Sequence, residues 1–321
     1  MLFIMAMEPD FYRELAKAEL HLHLEGSIAP ATLRELAPHV PPEEIDRRYR
    51  YADFSGFIES YVWVNSFLNT PDDYAFVARR LLESLAAENV CYAEINLSAG
   101  VILWKQMNLA RVYEAVAAEA ACSPVEVRWI LDAVRQWGPE KAMEVARFAV
   151  ERRGDGIVAF GIGGDESRGH CDWFSDVFAF AKAQGLKLAP HAGETCGPES
   201  VWSALRQGAD RIGHGIRAAG DADLMRELRE RDIPLEICIS SNVATGATPS
   251  LDAHPVRKLY DAGVPIVLNT DDPPMFHTTL SREYEIAATR FGFSRAELSG
   301  LAANSFRYAF VKQEPRPVPN R

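Results

Sequence analysis

The sequence has few cysteines, no C-x-x-C pair and no excess of basic residues. Its five cysteines are odd in number and scattered, which argues against a disulfide framework and favours a reducing compartment. Lysine and arginine together number 34 against 45 acidic residues, giving a formal net charge of −11. This balance argues against nucleic acid or an anionic membrane as the main partner, and it leaves small neutral or cationic substrates open.

A long apolar run is also missing. The opening segment Met1–Met7 is apolar but short, lacks a basic flank and is followed at once by Glu8 and Asp10. It matches neither a signal peptide nor a membrane span. We therefore predict a cytoplasmic protein without a membrane partner.

The chain has instead a large apolar fraction, 48%, arranged in short runs. Eight such runs alternate with helix-like patterns, without a linker, a low-complexity segment or a repeat. Strands that are apolar on both faces and alternate with helices predict a parallel sheet, and eight of them predict a closed (β/α)8 barrel of the TIM type. We expect one domain over residues 1–321, with a frayed tail over 314–321. The predicted strands are Lys17–Leu24, Cys91–Leu97, Glu126–Asp132, Gly156–Gly161, Leu186–His191, Arg211–His214, Pro234–Cys238 and Pro265–Thr270.

One long stretch, from about Ile28 to Pro71, separates the first two predicted strands and is rich in aromatic residues. We expect extra helices inserted there. Two interpretations remain open at this point: an ordinary helical insertion with its own small core, or a lid over the catalytic face. The other predicted helices are Ala75–Glu88, Leu109–Ala121, Pro139–Arg152, Trp173–Gln184, Pro198–Gln207, Asp221–Arg231 and His254–Ala262.

His21 and His23 are the most informative pair in the chain. Because successive strand residues point to opposite faces, both imidazoles project on the same side, roughly 6–7 Å apart. Ring rotation can then bring them to one metal, since Zn–N bonds are only about 2.0–2.1 Å long. An isolated H-x-H pattern arises more often by chance, so the interpretation depends on what lies elsewhere in the chain.

Three later polar clusters strengthen the metal hypothesis. They lie at the ends of the fifth, sixth and eighth predicted strands, and barrels of this kind gather their active sites at the C-terminal strand ends. Imidazole and carboxylate donors without a thiolate suit zinc, with iron, cobalt or nickel as lesser options. The predicted ligands are His21, His23, His191 and Asp271.

Glu194 follows His191 by three residues and is the candidate proton donor, because burial can raise the pKa of a carboxyl group enough to keep it protonated. The alternative is a glutamate favoured by the dipole of a helix that starts near Pro198. His214 can accept or orient the proton of the attacking water, or be structural. Asp271 and Asp272 are adjacent, so one can face the metal and the other the substrate; the alternative for Asp272 is a turn residue.

Five motifs occur in one order, and together they resemble the adenosine deaminase family of the amidohydrolase superfamily from Glu19 to about Phe310. They are H-x-H-L-E-G (21–26), G-D-E (164–166), H-A-G-E (191–194), G-H-G (213–215) and T-D-D-P (270–273). The resemblance implies a (β/α)8 barrel with one zinc held by the four predicted ligands. Two absences agree with it: Gly161–Gly164 holds no bridging lysine, and the signature of the zinc nucleobase deaminases is missing.

The same resemblance implies roles for individual residues. Glu194 would protonate purine N1 while water adds to C6, and His214 would serve that water. Asp272 would hold N7. The remaining implied contacts are the Gly164 N–H with N3, Glu25 with a ribose hydroxyl, and a hydrophobic lid formed by Phe54, Phe57 and the residues around Trp63.

The expected reaction is zinc-dependent hydrolytic deamination of an adenosine-type nucleoside, with adenosine or 2'-deoxyadenosine ahead of other substrates. The alternative is 6-aminodeoxyfutalosine, because residues 241–245, 251–255 and 273–284 are similar to bacterial members assigned to that menaquinone intermediate. Another metal-dependent amidohydrolase or an N6-substituted AMP deaminase is a further alternative. A carboxylate on the sugar would want a cation; the candidates are Arg48, Arg50, Lys105, Arg135 and Arg168.

Overall fold

The computed structural model describes residues 9–51 and 54–312, without the side chains of Pro9, Asp10 and Phe54. These residues form an eight-stranded parallel sheet in which each strand pairs with the next in chain order. The strands are β1 (Lys17–His23), β2 (Val90–Leu97), β3 (Glu126–Val134), β4 (Ile157–Gly163), β5 (Lys187–Ala192), β6 (Ile212–His214), β7 (Leu235–Ile237) and β8 (Ile266–Leu268). The opening segment and the tail over 314–321 lie outside the described residues.

The sheet is closed by a single residue beyond β8. The Asp271 N–H donates to the His21 carbonyl at 3.0 Å, and its own carbonyl accepts from the His23 N–H at 2.9 Å. This bridge joins the end of the last strand to the first. The prediction of a (β/α)8 barrel is confirmed, and the eight predicted strands match the observed ones to within three residues at each end.

Helices cover the outside of the sheet, and three of them fill the predicted insertion between β1 and β2. These three are α2 (Pro30–Leu36), α3 (Pro42–Arg48) and α4 (Phe54–Asn65), after a short N-terminal α1 (Pro9–Glu14). The next helices are α5 (Pro71–Ala87), α6 (Ala99–Trp104), α7 (Leu109–Ala121), α8 (Gly138–Glu151), α9 (Ser175–Ala183), α10 (Pro198–Arg206), α11 (Ala222–Glu230), α12 (Ile239–Ala244), α13 (Val256–Asp261), α14 (Leu280–Phe291) and α15 (Arg295–Arg307).

The last two helices were not predicted, although their sequence carries helix signals. Ser294 and Glu297 form a capping box that starts α15, which satisfies two backbone donors of the first turn. The Ser305 hydroxyl of α15 accepts from the Ala18 N–H at 2.9 Å, so this helix packs against β1. No described helix is both long and apolar enough to cross a bilayer.

A buried ionic cluster fills one end of the barrel. Arg211 is 1% exposed and contacts Glu94 at 2.6 Å and Glu236 at 2.5 Å. Its guanidinium lies 3.6 Å from the centre of the Phe310 ring and donates to the Tyr308 carbonyl at 2.9 Å. One cation thus neutralises two buried carboxylates and holds the segment that follows α15.

We predict that Arg211→Leu lowers the free energy of unfolding by about 3–5 kcal/mol, because it leaves two buried carboxylates without their cation. Urea unfolding followed by circular dichroism measures this change. The matched control is Arg79→Leu, which removes a solvent-exposed pair with Glu119 and should change stability little. An Arg211→Leu variant as stable as the parent would show that the cluster contributes nothing.

Candidate active site

The four predicted ligands lie together at the C-terminal ends of the strands. His21 and His23 lie in β1 and His191 lies in β5. Asp271 is the residue that closes the barrel. One donor atom from each lies within 4.8 Å of the other three. All four side chains are therefore able to reach one ion.

Three of the distances between these donors are close to those around a tetrahedral metal. His23 Nε2 lies 3.1 Å from His191 Nε2 and 3.3 Å from Asp271 Oδ1, and His21 Nε2 lies 3.4 Å from the same oxygen. Ligands placed about 2.0–2.2 Å from a tetrahedral zinc are separated by about 3.3–3.6 Å. His21 Nε2 is buried and makes no hydrogen bond to the described residues, so its lone pair is available to a cation.

A second layer of acceptors orients the ligand rings. His21 Nδ1 lies 2.7 Å from Glu236 Oε2, and His191 Nδ1 lies 3.2 Å from the Ile162 carbonyl oxygen. Because both partners only accept, each Nδ1 carries the proton and each Nε2 is left bare toward the site. The Ser241 hydroxyl donates to Asp271 Oδ2 at 2.6 Å. Sequence analysis assigned no role to these partners, since no spacing pattern signals them.

The Gly-His-Gly segment is shaped by the crowding around His21. A Cβ at Gly213 would lie 2.7 Å from His21 Cε1, so a larger residue would push the ligand ring away. His214 itself has φ +58° and Asp271 has φ +68°, a conformation that L-residues adopt rarely. Backbone strain of this kind is typical of active sites, where it directs a side chain into a position that relaxed geometry would not give.

Glu194 and His214 face the same space as the ligand cluster. Glu194 Oε2 lies 3.7 Å from His214 Nε2, and the Glu194 side chain is 20% exposed. Burial raises the pKa of Glu194, which favours its protonated form. The alternative of a helix-terminal glutamate does not fit, because the first acidic residue of α10 is Glu199.

Glu166 holds the loop that carries Glu194. Its carboxylate accepts hydrogen bonds from the N–H groups of Thr195 and Cys196, both at 2.8 Å, from the Gly193 N–H and from the Ser200 hydroxyl. Burial alone would raise the pKa of Glu166, but these donors lower it. The G-D-E motif pointed to this segment, yet sequence analysis assigned a role only to its glycine.

Asp272, Glu25 and Asp132 surround the ligand cluster with incompletely satisfied carboxyl groups. Each has one buried oxygen without a hydrogen bond among the described residues. The other Glu25 oxygen accepts from the Ser98 N–H at 3.0 Å. Burial raises the pKa of Glu25 and that of Asp132 to about 7, and burial together with the Asp271 charge raises the pKa of Asp272. Such groups are prepared to bind a polar ligand. Asp132 was missed by sequence analysis.

Phe57 lies in a cluster of aromatic rings next to this pocket. It is 6% exposed, and its ring centre lies 4.9 Å from that of Phe276, 5.6 Å from Tyr51 and 6.0 Å from Tyr61. The Phe54 side chain lies outside the described residues. Gly164 is exposed with φ +93°, and a Cβ there would lie 2.3 Å from Gln136 Oε1.

Two of the basic residues considered for a substrate carboxylate are already engaged. The Lys105 ammonium donates to the Asn65 and Leu68 carbonyls, at 2.6 and 2.9 Å. The Arg135 guanidinium is buried and donates to backbone carbonyls, among them that of His191 at 2.6 Å. Arg168, in contrast, is exposed on the loop that follows Gly164.

The model of the adenosine deaminase family matches residues 16–317 of this chain. The chain belongs to that family. An aminodeoxyfutalosine deaminase of Streptomyces coelicolor is 39% identical over 95% of this chain and 84% of its own, and an adenine deaminase of Rhizobium leguminosarum is 37% identical over 94% and 97%. This family member is thus a hydrolytic deaminase of the amidohydrolase type whose relatives act on adenine-type compounds.

Solved structures of the family agree with the fold and the metal. The N6-methyl-AMP deaminase of Arabidopsis thaliana has a TM-score of 0.85 and 28% identity, covering 95% of each chain. An amidohydrolase of Burkholderia ambifaria with bound zinc has a TM-score of 0.87 and 26% identity, covering 97% of this chain and 90% of its own. The histidine and aspartate cluster of this deaminase accordingly suits a divalent metal.

We predict that Glu166→Gln reduces kcat by on the order of 100-fold while the metal stays bound. The new amide group would face backbone N–H donors, and a displacement of a catalytic group by about 1 Å costs roughly that factor. Steady-state kinetics with metal analysis measures both effects. The matched control is Glu199→Gln, which changes an exposed carboxylate in the first turn of α10, directly after this loop. Equal activity of both variants with the parent enzyme would contradict the role of Glu166.

Proposed function

We propose that this protein removes the 6-amino group of an adenosine-type nucleoside by zinc-dependent hydrolysis and releases ammonia. The observation that carries the proposal is the convergence of one metal-binding cluster, the Glu194 carboxyl group, whose pKa is raised by burial, and His214 at one end of the barrel. Zinc is favoured by three imidazoles and one carboxylate within reach of one ion, without a thiolate. Its ligands are His21, His23, His191 and Asp271.

Each remaining group has a task that its surroundings support. When bound, zinc activates a water molecule as the nucleophile by lowering its pKa to about 7. Glu194, with its raised pKa, donates a proton to purine N1 as C6 is attacked. His214 and Asp271 face the space that this water would occupy, and they can orient it or accept its proton. Burial and the Asp271 charge raise the pKa of Asp272, which favours the protonated form that can donate to N7.

The sugar and the far edge of the base meet other groups. The unpartnered oxygen of Glu25 accepts from a ribose hydroxyl, and the Gly164 N–H donates to N3. Phe57 and the residues around Trp63 cover the bound nucleoside as a hydrophobic lid. The aromatic contacts of Phe57 with Tyr51 and Phe276 support this role, since they connect the inserted helices to the loop after β8.

We expect Glu194→Gln to retain its zinc and lose about 100- to 10,000-fold of kcat, because the amide cannot supply the proton. Ammonia release and metal content are measured on the same preparation. His191→Ala serves as the comparison, and it should lose metal together with activity. Full activity of Glu194→Gln would rule out the proton-donor role.

A second candidate substrate is 6-aminodeoxyfutalosine, and two observations favour it over plain adenosine. The first is the 39% identity with the Streptomyces enzyme. The second is a pair of exposed indoles: Trp104 is 67% exposed and Trp137 36%, with ring centres 6.0 Å apart and planes inclined by 16°. Helix α6 starts after Ser98, which contacts Glu25, and ends at Trp104, about 9 Å further along the helix axis. An aromatic group attached to the ribose can stack there.

We predict that 6-aminodeoxyfutalosine is deaminated with a lower KM than adenosine, and that Trp104→Ala raises this KM about 3- to 10-fold, as expected for loss of one aromatic stack. The KM for adenosine should not change. A panel of 6-aminodeoxyfutalosine, adenosine, 2'-deoxyadenosine, adenine and N6-methyl-AMP measures the preference. Trp173→Ala, which removes another exposed indole, is the control. Adenine as the best substrate would contradict the role given to Glu25.

A further inference from the structure

A chain of buried hydrogen bonds runs from helix α13 to the candidate catalytic histidine. It passes through two residues that so far have no function, Asn242 of α12 and His254, which precedes α13. Asn242 is 0% exposed, His254 5% and His214 1%. Buried polar groups are hydrogen-bonded as a rule, and the protein groups that contact these residues set the direction of each hydrogen bond.

The direction is set at the outer end by a backbone amide. The Val256 N–H lies 3.2 Å from His254 Nδ1 and can only donate, so Nδ1 must accept. A buried, neutral His254 therefore carries its proton on Nε2. Burial and the nearby His214 lower the pKa of His254 to about 3, in agreement with a neutral ring. Its Nε2 lies 3.1 Å from Asn242 Oδ1 and donates to it.

The side-chain amide of Asn242 fixes the direction of the next hydrogen bond, to His214. Because its oxygen accepts from His254, its NH2 group faces the other way, 3.0 Å from His214 Nδ1. The Asn242 backbone is fixed as well, since its N–H donates to the Cys238 carbonyl at 2.9 Å and its carbonyl accepts from the Thr248 N–H at 2.8 Å. His214 Nδ1 is thus an acceptor.

We propose that Asn242 and His254 are positioning residues that hold His214 in the tautomer with its proton on Nε2. That nitrogen faces the reaction space, 3.7 Å from Glu194 Oε2 and 4.0 Å from Asp271 Oδ2. His214 then donates a hydrogen bond to the attacking oxygen. The proton which that oxygen loses passes to the Asp271 carboxylate and from there to the amino group, which leaves as ammonia, and the remaining O–H proton returns to Glu194 when the C6–N bond breaks. Between the two roles left open by the sequence, orienting or accepting, the hydrogen-bond chain selects orienting. The effect on turnover rests on the proposed deamination; the tautomer does not.

Nitrogen NMR of the zinc-loaded enzyme with labelled histidine tests the tautomer directly and without substrate. A bare ring nitrogen and a protonated one have well-separated shifts, and the resonances of His214 are assigned by their loss in His214→Gln. We expect a protonated Nε2 and a bare Nδ1 for His214, and the same pattern for His254. A bare Nε2 on His214 would overturn the proposal.

The substitution Asn242→Asp reverses the direction of the hydrogen bond to His214 with little change in the size of the side chain. A carboxylate offers only acceptors, so it still receives the His254 proton but now requires a proton on His214 Nδ1. We expect the two His214 nitrogen signals to exchange their character and kcat to fall by on the order of 100-fold, with KM within about twofold. A purely structural role for Asn242 would leave the tautomer as it was.

The matched control is Thr248→Val, which alters a buried neighbour of Asn242 whose hydroxyl donates to the Asn242 backbone carbonyl. It should keep both the His214 signals and kcat. If the NMR pattern holds but no adenine-type compound is deaminated, the proposed function fails and the tautomer assignment stands. If deamination is intact and the pattern is reversed, the assignment fails alone.

Discussion

The structure depends on how the barrel is closed. Asp271 pairs through its backbone with β1 on either side of Leu22, and its side chain lies against the two histidines that β1 presents. The hydrogen bonds that complete the sheet are therefore the ones that bring the carboxylate ligand to the imidazoles. Closure requires a left-handed backbone at Asp271, and this strain is offset by the two hydrogen bonds and by Ser241.

Around that junction, the protein controls protons by hydrogen-bond direction more than by exposure to water. Glu236 and the Ile162 carbonyl leave the metal-facing nitrogens of His21 and His191 bare, and Asn242 does the reverse for His214. Burial raises the pKa of Glu194 and of Asp272, whereas hydrogen-bond donors lower the pKa of Glu166. Each group is thus assigned to give or to receive before a ligand arrives, which is the preorganisation that catalysis in a water-poor pocket requires.

The barrel and the ligand set could be predicted because each has a local signal. Alternating apolar runs marked the strands, and His21, His23, His191 and Asp271 lie at or just after strand ends, where barrels concentrate chemistry. Glu166, Glu236 and Asn242 act through partners between about 25 and 215 positions away, and no spacing in the chain announces such contacts. The helices after residue 262 are different, because the capping box at Ser294 is a local signal that indicates the start of the last helix.

The ionic cluster at the other end of the barrel connects two distant parts of the chain. Arg211 holds both the Tyr308 carbonyl and Glu236, and Glu236 in turn holds the ligand His21. Packing of the segment after α15 and the affinity of the site for a metal ion are therefore thermodynamically linked, and each favours the other. Binding of a metal ion by His21 at one end of the barrel thus stabilises the Arg211 cluster at the other end.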